Sequence, residues 1–121
     1  MERKVLVVED DVESLRLYSD MLKRGGYAPI TASTGWEGID LAVKGHPGLI
    51  LLDLRLPDIT GLTVLETLHA ALSTKSIPII VVSAISKDDD VIKAMQIGAF
   101  DYVVKPITYE DMMRRVELVF S

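Results

Sequence analysis

The stretch "LILLDL", residues 49–54, runs four apolar residues, an aspartate and a leucine. A strand with one wet face alternates apolar and polar residues. A strand apolar at nearly every position is covered on both faces, as in a parallel sheet packed between helices. Two further stretches read the same way, "VLVV" at residues 5–8 and "IIVV" at residues 79–82. Three such runs predict an α/β chain rather than an antiparallel sandwich.

Working outward, strands are predicted at residues 4–8, 28–33, 49–54, 79–83 and 102–104. The intervening segments carry apolar residues three and four apart, the period of a helix with one buried face. They are Val12, Leu15, Tyr18, Met21 and Leu22; Trp36, Ile39 and Val43; Leu62, Leu65, Leu68 and Leu72; and Met112, Met113, Val116, Val119 and Phe120. In the fourth helix, residues 88–97, the inward residues are expected to be Val91, Ile92 and Met95. Gly25–Gly26, Gly45 and Gly98 are placed as helix stops, and Thr108 with Asp111 as a helix start. Strand–helix repeated five times implies a doubly wound parallel sheet with right-handed crossovers, residues 1–121 forming one domain. In such sheets ligands bind beyond the carboxyl ends of the strands.

The 121 residues carry a net charge of −5, which argues against direct nucleic acid binding by this segment. The absence of cysteine excludes disulfides, zinc thiolates and thiol nucleophiles. No apolar run is long enough for a membrane span, and the opening "MERKVLVVEDD" lacks the apolar segment of a secretory signal, so a cytoplasmic location is expected.

The strand ends hold the chemistry. "VLVVEDD" closes on Glu9, Asp10 and Asp11, and the third strand closes on Asp53. These two strands are neighbours in a doubly wound sheet, so four carboxylates are expected at one edge. Two like charges about 5 Å apart at an effective dielectric of roughly 20 cost about 3 kcal/mol, so either these acids point into open water or a cation sits among them. An oxygen-only set suits a hard ion such as Mg²⁺, or Mn²⁺. His46 and His69 both fall away from the strand ends, against a histidine metal site. Ser83 ends the fourth strand and Lys105 follows the fifth; a hydroxyl and an ammonium beside a metal suit a phosphoryl group. A carboxylate can serve as the nucleophile, forming an aspartyl phosphate. Each feature has a plainer reading, an acid pair as a helix N-cap or a lone Lys-Pro as a strand end; their joint placement is the specific signal.

With those residues in hand, the chain resembles the receiver domain of two-component response regulators over essentially its whole length. The motifs are "VLVVEDD", "LILLDLRLPDITG", "IIVVSA" and "GAFDYVVKP". The resemblance implies a flavodoxin-like fold of five parallel strands in the order 2-1-3-4-5 with five helices. It implies Asp53 as phosphoacceptor, Asp10 as direct Mg²⁺ ligand, Glu9 acting mainly through water, and the Arg55 backbone carbonyl completing the protein ligands. Ser83 and Lys105 would hold phosphoryl oxygens, with Ala84, Ile85, Pro106 and Asp11 as neighbours of the site and a cis Lys105–Pro106 bond. Ser83 and Tyr102 would form a switch, the hydroxyl moving toward the phosphoryl group and the ring turning inward, which reshapes the face made by the fourth helix, fifth strand and fifth helix. The implied partners are a sensor histidine kinase or a histidine phosphotransfer protein, an output domain or effector, and a second copy through that face. Asp101, Asp111 and Arg115 match a charge pattern that pairs some receivers, whereas Val91, Phe100 and Glu117 depart from it.

Three rivals are weighed. A Mg²⁺-dependent aspartate-nucleophile phosphatase usually places a second acid two residues past the nucleophile, where this chain has Arg55. A flavin electron carrier on the same fold needs a glycine- or hydroxyl-rich phosphate loop, where this chain has three acids. An inactive receiver-like binding module would not need the complete acid, Asp, Ser and Lys set. The activity expected is transfer of a phosphoryl group to the chain itself and its slow hydrolysis, not metabolic turnover.

Overall fold

The computed structural model describes residues 2–121. Strands and helices alternate: β1 (Lys4–Val8), α1 (Val12–Arg24), β2 (Ala28–Ala32), α2 (Gly35–Gly45), β3 (Leu49–Leu52), α3 (Gly61–Ala70), β4 (Ile79–Ser83), α4 (Asp88–Ile97), β5 (Asp101–Val104) and α5 (Tyr109–Phe120). All pairings are parallel and the order is β2-β1-β3-β4-β5. This is the expected doubly wound sheet, with β3 ending two residues earlier than its apolar run. No helix among the described residues is long and apolar enough to cross a membrane.

Successive side chains of a strand point to opposite faces, and the central strands split accordingly. Val5, Val7, Leu49, Leu51, Ile80, Val82 and Val103 meet Tyr18, Leu22, Met112 and Val116 of α1 and α5. Leu6, Val8, Ile50, Leu52, Ile79 and Val81 meet Ala42, Val64, Leu68 and Ala94 of α2, α3 and α4. Each fully buried Val or Leu contributes on the order of 2 kcal/mol, so continuous apolarity in β1, β3 and β4 is what two covered faces require.

Side chains capable of accepting N–H bonds start four helices. Asp11, Thr34, Thr60 and Thr108 cap α1, α2, α3 and α5 through the backbone N–H groups of Ser14, Glu37, Thr63 and Asp111. α2 also has a reciprocal cap, Glu37 Oε1 accepting from the Ser33 N–H. The stop after α2 differs from expectation. His46, not Gly45, takes the left-handed conformation at φ 43° and donates its N–H to Ala42, while Gly45 remains in the helix.

Several apolar residues assigned to buried helix faces are exposed instead: Val12, Trp36, Val43, Leu72, Ile92 and Met95. In α2 the small residues Gly35, Gly38 and Ala42 face inward. A Cβ at Gly38 would stand 2.8 Å from the Val8 side chain, so close approach to the sheet selected glycine over bulk. In α4 the buried residue is Ala94, for the same reason of close packing. Leu72 lies past the end of α3.

One glycine constrains the functional edge. A Cβ at Gly61 would fall 2.4 Å from the Leu54 Cα and 2.5 Å from the Asp53 carbonyl oxygen. Both are backbone atoms and cannot swing aside. The Gly61 N–H also donates to the Leu54 carbonyl at 2.9 Å. Gly61→Ala is therefore expected to cost about 1–3 kcal/mol, as overpacking does, and to displace the backbone carrying Asp53. A lowered urea midpoint with unchanged slope checks it; an unaltered midpoint would show that the loop yields freely.

Candidate functional site

The ladder bonds continue one residue past the strand ends. The Glu9 N–H donates to Ala32, the Asp53 N–H to Val8, and the Lys105 N–H to Ser83. Glu9 follows Val5 and Val7, Asp53 follows Leu49 and Leu51, and Lys105 follows Val103, each two residues on. All three side chains thus extend the face that α1 and α5 cover. Ser83 and Tyr102 belong to the opposite set, with Ile79 and Val81.

Lys105 stands between two carboxylates. Its Nζ donates to Glu9 Oε1 at 2.5 Å and to Asp53 Oδ2 at 2.9 Å. Asp53 Oδ1 accepts from the Ser83 hydroxyl at 2.9 Å and from the Arg55 N–H at 3.0 Å. The other Glu9 oxygen accepts from the Asp11 N–H at 3.0 Å. Glu9 is 2% exposed and Asp53 6%. No buried side-chain nitrogen or oxygen among the described residues lacks a partner.

The sequence reading expected four carboxylates at this edge; the structure buries two. Asp10 is exposed. Asp11 is exposed as well and turns away to cap α1, its Oδ2 accepting from the Ser14 N–H at 3.0 Å and hydroxyl at 2.7 Å. The cation that makes the two buried acids tolerable is the chain's own Lys105. Among the described residues no three His, Asp or Glu side chains gather as a preformed metal cage.

Electrostatics follow from this arrangement. Burial pushes the Glu9 carboxyl above its usual range, and the negative Asp53 adds to the rise; the Lys105 and Asp11 donors offset it only in part. Burial acts on Asp53 in the same sense, but the Arg55 N–H, Lys105 and Ser83 outweigh it and hold Asp53 below the usual carboxylate range. Burial alone would lower Lys105; its bonds to Glu9 and Asp53 prevail and lift it to about 12. At neutral pH the ammonium is therefore charged and Asp53 is ionised, which a nucleophilic carboxylate needs.

A hard divalent cation fits this chemistry. The donor set is oxygen only, with ionised Asp53, Glu9 beside it and exposed Asp10. Mg²⁺ accepts few protein ligands and keeps several waters, so a complete side-chain cage is not needed.

The expected switch residues form one connected chain. The Ile85 N–H donates to Ser83 Oγ at 3.3 Å, and the Tyr102 hydroxyl donates to the Ile85 carbonyl at 2.5 Å. Asp53, Ser83, Ile85 and Tyr102 are thereby linked across β4 and β5, with the Ser83 hydroxyl already on Asp53. Ile85 is half-buried against the α2–α4 side, while Ala84, Arg55 and Pro106 are exposed at the rim. The Lys105–Pro106 bond is cis.

On the α4–β5–α5 face, Arg115 bonds within the chain to both Asp101 and Asp111. The three charges that match the pairing pattern thus satisfy one another. Ile92 and Met95 of α4, Phe100 just before β5, Val104 of β5 and Leu118 of α5 are exposed apolar residues of these elements.

Two residues near the site were not singled out for it in the sequence. Tyr18 was assigned only to the packed face of α1, yet its ring centroid lies 5.8 Å from Lys105 Nζ. The available signal was that Glu9 shares strand parity with Val5 and Val7, the positions α1 covers. Asp58 tethers the β3–α3 loop: its carboxylate accepts from the Gly35 and Trp36 N–H groups at 2.8 and 2.9 Å, bonds that hold it below the usual range. Nothing local in "PDITG" pointed to α2, 22 residues away.

Comparison with known proteins agrees with this geometry. The response regulator receiver domain profile matches residues 5–117. The chain is 36% identical over 108 residues to the polar-differentiation response regulator DivK of Brucella ovis, covering 89% of this chain and 88% of that protein. It is 39% identical over 116 residues to the cell cycle transcriptional regulator CtrA of Caulobacter vibrioides, covering 96% of this chain and 49% of that protein. A chain of the CheX–CheY–BeF3–Mg²⁺ complex from Borrelia burgdorferi superposes with a TM-score of 0.90 at 26% identity, covering 98% of this chain and 89% of that one. A profile spanning nearly all of the sheet and helices, together with relatives at this identity, places the chain in the receiver-domain family of response regulators.

Proposed function

We propose that this receiver is a phosphorylation-dependent switch in which Asp53 takes a phosphoryl group from a phosphohistidine on a sensor kinase or phosphotransfer protein. An Asp53 carboxylate oxygen attacks phosphorus, the P–O bond forms, the P–N bond breaks, and the donor imidazole keeps the electron pair. Water later cleaves the aspartyl phosphate and releases inorganic phosphate.

The observation that carries this reading is the partition of donors around Asp53. Lys105 serves one oxygen, while Ser83 and the Arg55 N–H serve the other. An acid held ionised in a buried pocket, with an ammonium and a hydroxyl poised for new oxygens, is suited to phosphoryl transfer. Asp10, Asp53, Glu9 and the Arg55 carbonyl would hold Mg²⁺, which would supply charge neutralisation for the transfer. A structural neighbour whose complex contains BeF3 and Mg²⁺ supports the use of a divalent metal. A modified Asp53 competes for the Ser83 hydroxyl, and the Ser83–Ile85–Tyr102 chain carries that change to the α4–β5–α5 face. Exposed Ile92, Met95 and Phe100 make this face suited to an effector or a second copy.

The test is incubation with acetyl phosphate and Mg²⁺, followed by borohydride reduction and peptide mapping. One phosphoryl group per chain, trapped as homoserine at position 53, is expected, and none with excess chelator. Modification at another residue, or labelling indifferent to chelation, would overturn the reading.

Magnesium should also stabilise the fold. At tenfold excess over Kd, a ligand selective for the native state adds about 1.4 kcal/mol, roughly 5 °C in Tm for a chain of this size. Asp10→Asn should weaken that response. An equal Mg²⁺ shift in Asp10→Asn would remove Asp10 from the ligand set.

A further inference from the structure

Lysine is a flexible cation: its four-carbon stem has many rotamers, and holding it in one of them costs side-chain entropy. Glu9 and Asp53 hold the Lys105 ammonium while both are charged. Phosphorylation turns the Asp53 carboxylate into an acyl phosphate, which moves that anchor's negative charge from the carboxylate onto the phosphoryl oxygens. A third contact does not depend on the state of Asp53. The Tyr18 ring is 4% exposed, packed with Val5, Val7, Leu49 and Met112. Its centroid lies 5.8 Å from Lys105 Nζ, inside the range at which a ring face attracts a cation. The ring cannot drift, because the α1–α5 core fixes it, so the attraction is preorganised.

We propose that Tyr18 is a positioning residue for phosphoryl transfer, its buried ring face keeping the Lys105 ammonium at the Asp53 pocket throughout the cycle. The inference deepens the phosphoacceptor reading and rests on it for its kinetic consequence. The ring, not the hydroxyl, does the positioning. Tyr18→Phe keeps the aromatic face, whereas Tyr18→Leu keeps only apolar bulk, and Tyr18→Met is a second non-aromatic replacement should the leucine variant fail to fold.

The experiment pairs kinetics with a coupling measurement. Labelling by saturating acetyl phosphate and Mg²⁺ is expected to slow about fivefold in Tyr18→Leu or Tyr18→Met, the scale of one cation–π contact. Tyr18→Phe should recover the rate to within about twofold, and the Leu effect should vanish in a Lys105→Met background, as expected when one residue acts through the other. A folded Leu or Met variant that labels at the wild-type rate overturns the inference. So does a Phe variant as slow as Leu, or a Leu defect undiminished without Lys105. Urea unfolding of the same four proteins, wild type, Tyr18→Leu, Lys105→Met and the double variant, reads the contact without any reaction. If wild type takes no phosphoryl group, the function reading fails on its own. Non-additive unfolding then still supports the Tyr18–Lys105 contact, and strict additivity refutes it.

Discussion

Asp53→Asn is expected to reduce labelling by acetyl phosphate or a phosphohistidine donor to background while leaving the protein folded. The amide keeps the shape of the carboxylate but is a poor nucleophile, and neither Glu9 nor Asp11 is free to replace it. Glu9 is buried with both oxygens engaged, one by Lys105 and one by the Asp11 N–H. Asp11 is committed to the α1 cap. The stability change should be small because two effects oppose each other. The Asn side chain gives up a charge-assisted bond to Lys105, worth about 1.5–3 kcal/mol. Relief of the repulsion between Glu9 and Asp53, about 3 kcal/mol per close pair at an effective dielectric of roughly 20, offsets it. Glu9, no longer facing a second negative charge, should titrate lower than in wild type. Persistent labelling of Asp53→Asn, by mass or isotope, would move the acceptor elsewhere.

Lys105→Met should have the largest effect on stability, and magnesium should reverse much of it. Removing the ammonium leaves Glu9 and Asp53 buried and facing without a counter-ion. Breaking a buried pair costs about 3–5 kcal/mol; the Lys105 side chain keeps 18% exposure, which admits water and points to about 2–3 kcal/mol here. A divalent cation can replace the lost charge, so the deficit should shrink as Mg²⁺ is added, and apparent Mg²⁺ affinity should rise. The pH dependence has a definite sign. In wild type the raised Lys105 pKa means its stabilisation is complete below its unfolded value near 10.4 and is lost as pH rises toward about 12. In Lys105→Met the Glu9 carboxyl, already raised by burial, loses the Lys105 bond that lowers it and titrates higher still, so stability falls as pH rises through its titration and the deficit is smaller at pH 5 than at pH 8. Urea midpoints at the two pH values, with and without Mg²⁺, check this. A deficit independent of both pH and Mg²⁺ would mean that Lys105 acts through packing rather than charge.

The elements read from "LILLDL", "VLVV" and "IIVV" stand in the structure because their signal is local. A run that is apolar at every position has only one stable environment, and Gly98 and the Thr108 cap act within a turn of where they stand. The helix faces were less legible. Ile92 and Met95 have the right spacing and size for burial, but α4 lies close enough to the sheet that Ala94 is the residue that fits. Trp36 and Val43 lose the inward side of α2 to Gly35, Gly38 and Ala42 for the same reason. Interhelical and helix–sheet distances belong to the packed whole, and residue spacing does not encode them.

The sequence by itself determined the strand–helix order, the burial of β1, β3 and β4 on both faces, and the placing of Glu9, Asp53, Ser83 and Lys105 at one edge. Strand period and the rule that parallel strands end together are enough for that. Only the tertiary structure decided which acids turn inward. Glu9 continues the Val5 and Val7 face and is buried, while Asp10 and Asp11 reach solvent, so two carboxylates meet where four were expected. It also decided that the neutralising charge is Lys105, 96 residues from Glu9, with the Tyr18 ring behind it. Charges in a buried site are balanced by whatever the fold brings within a few ångströms, and that distance exists only once the chain has packed.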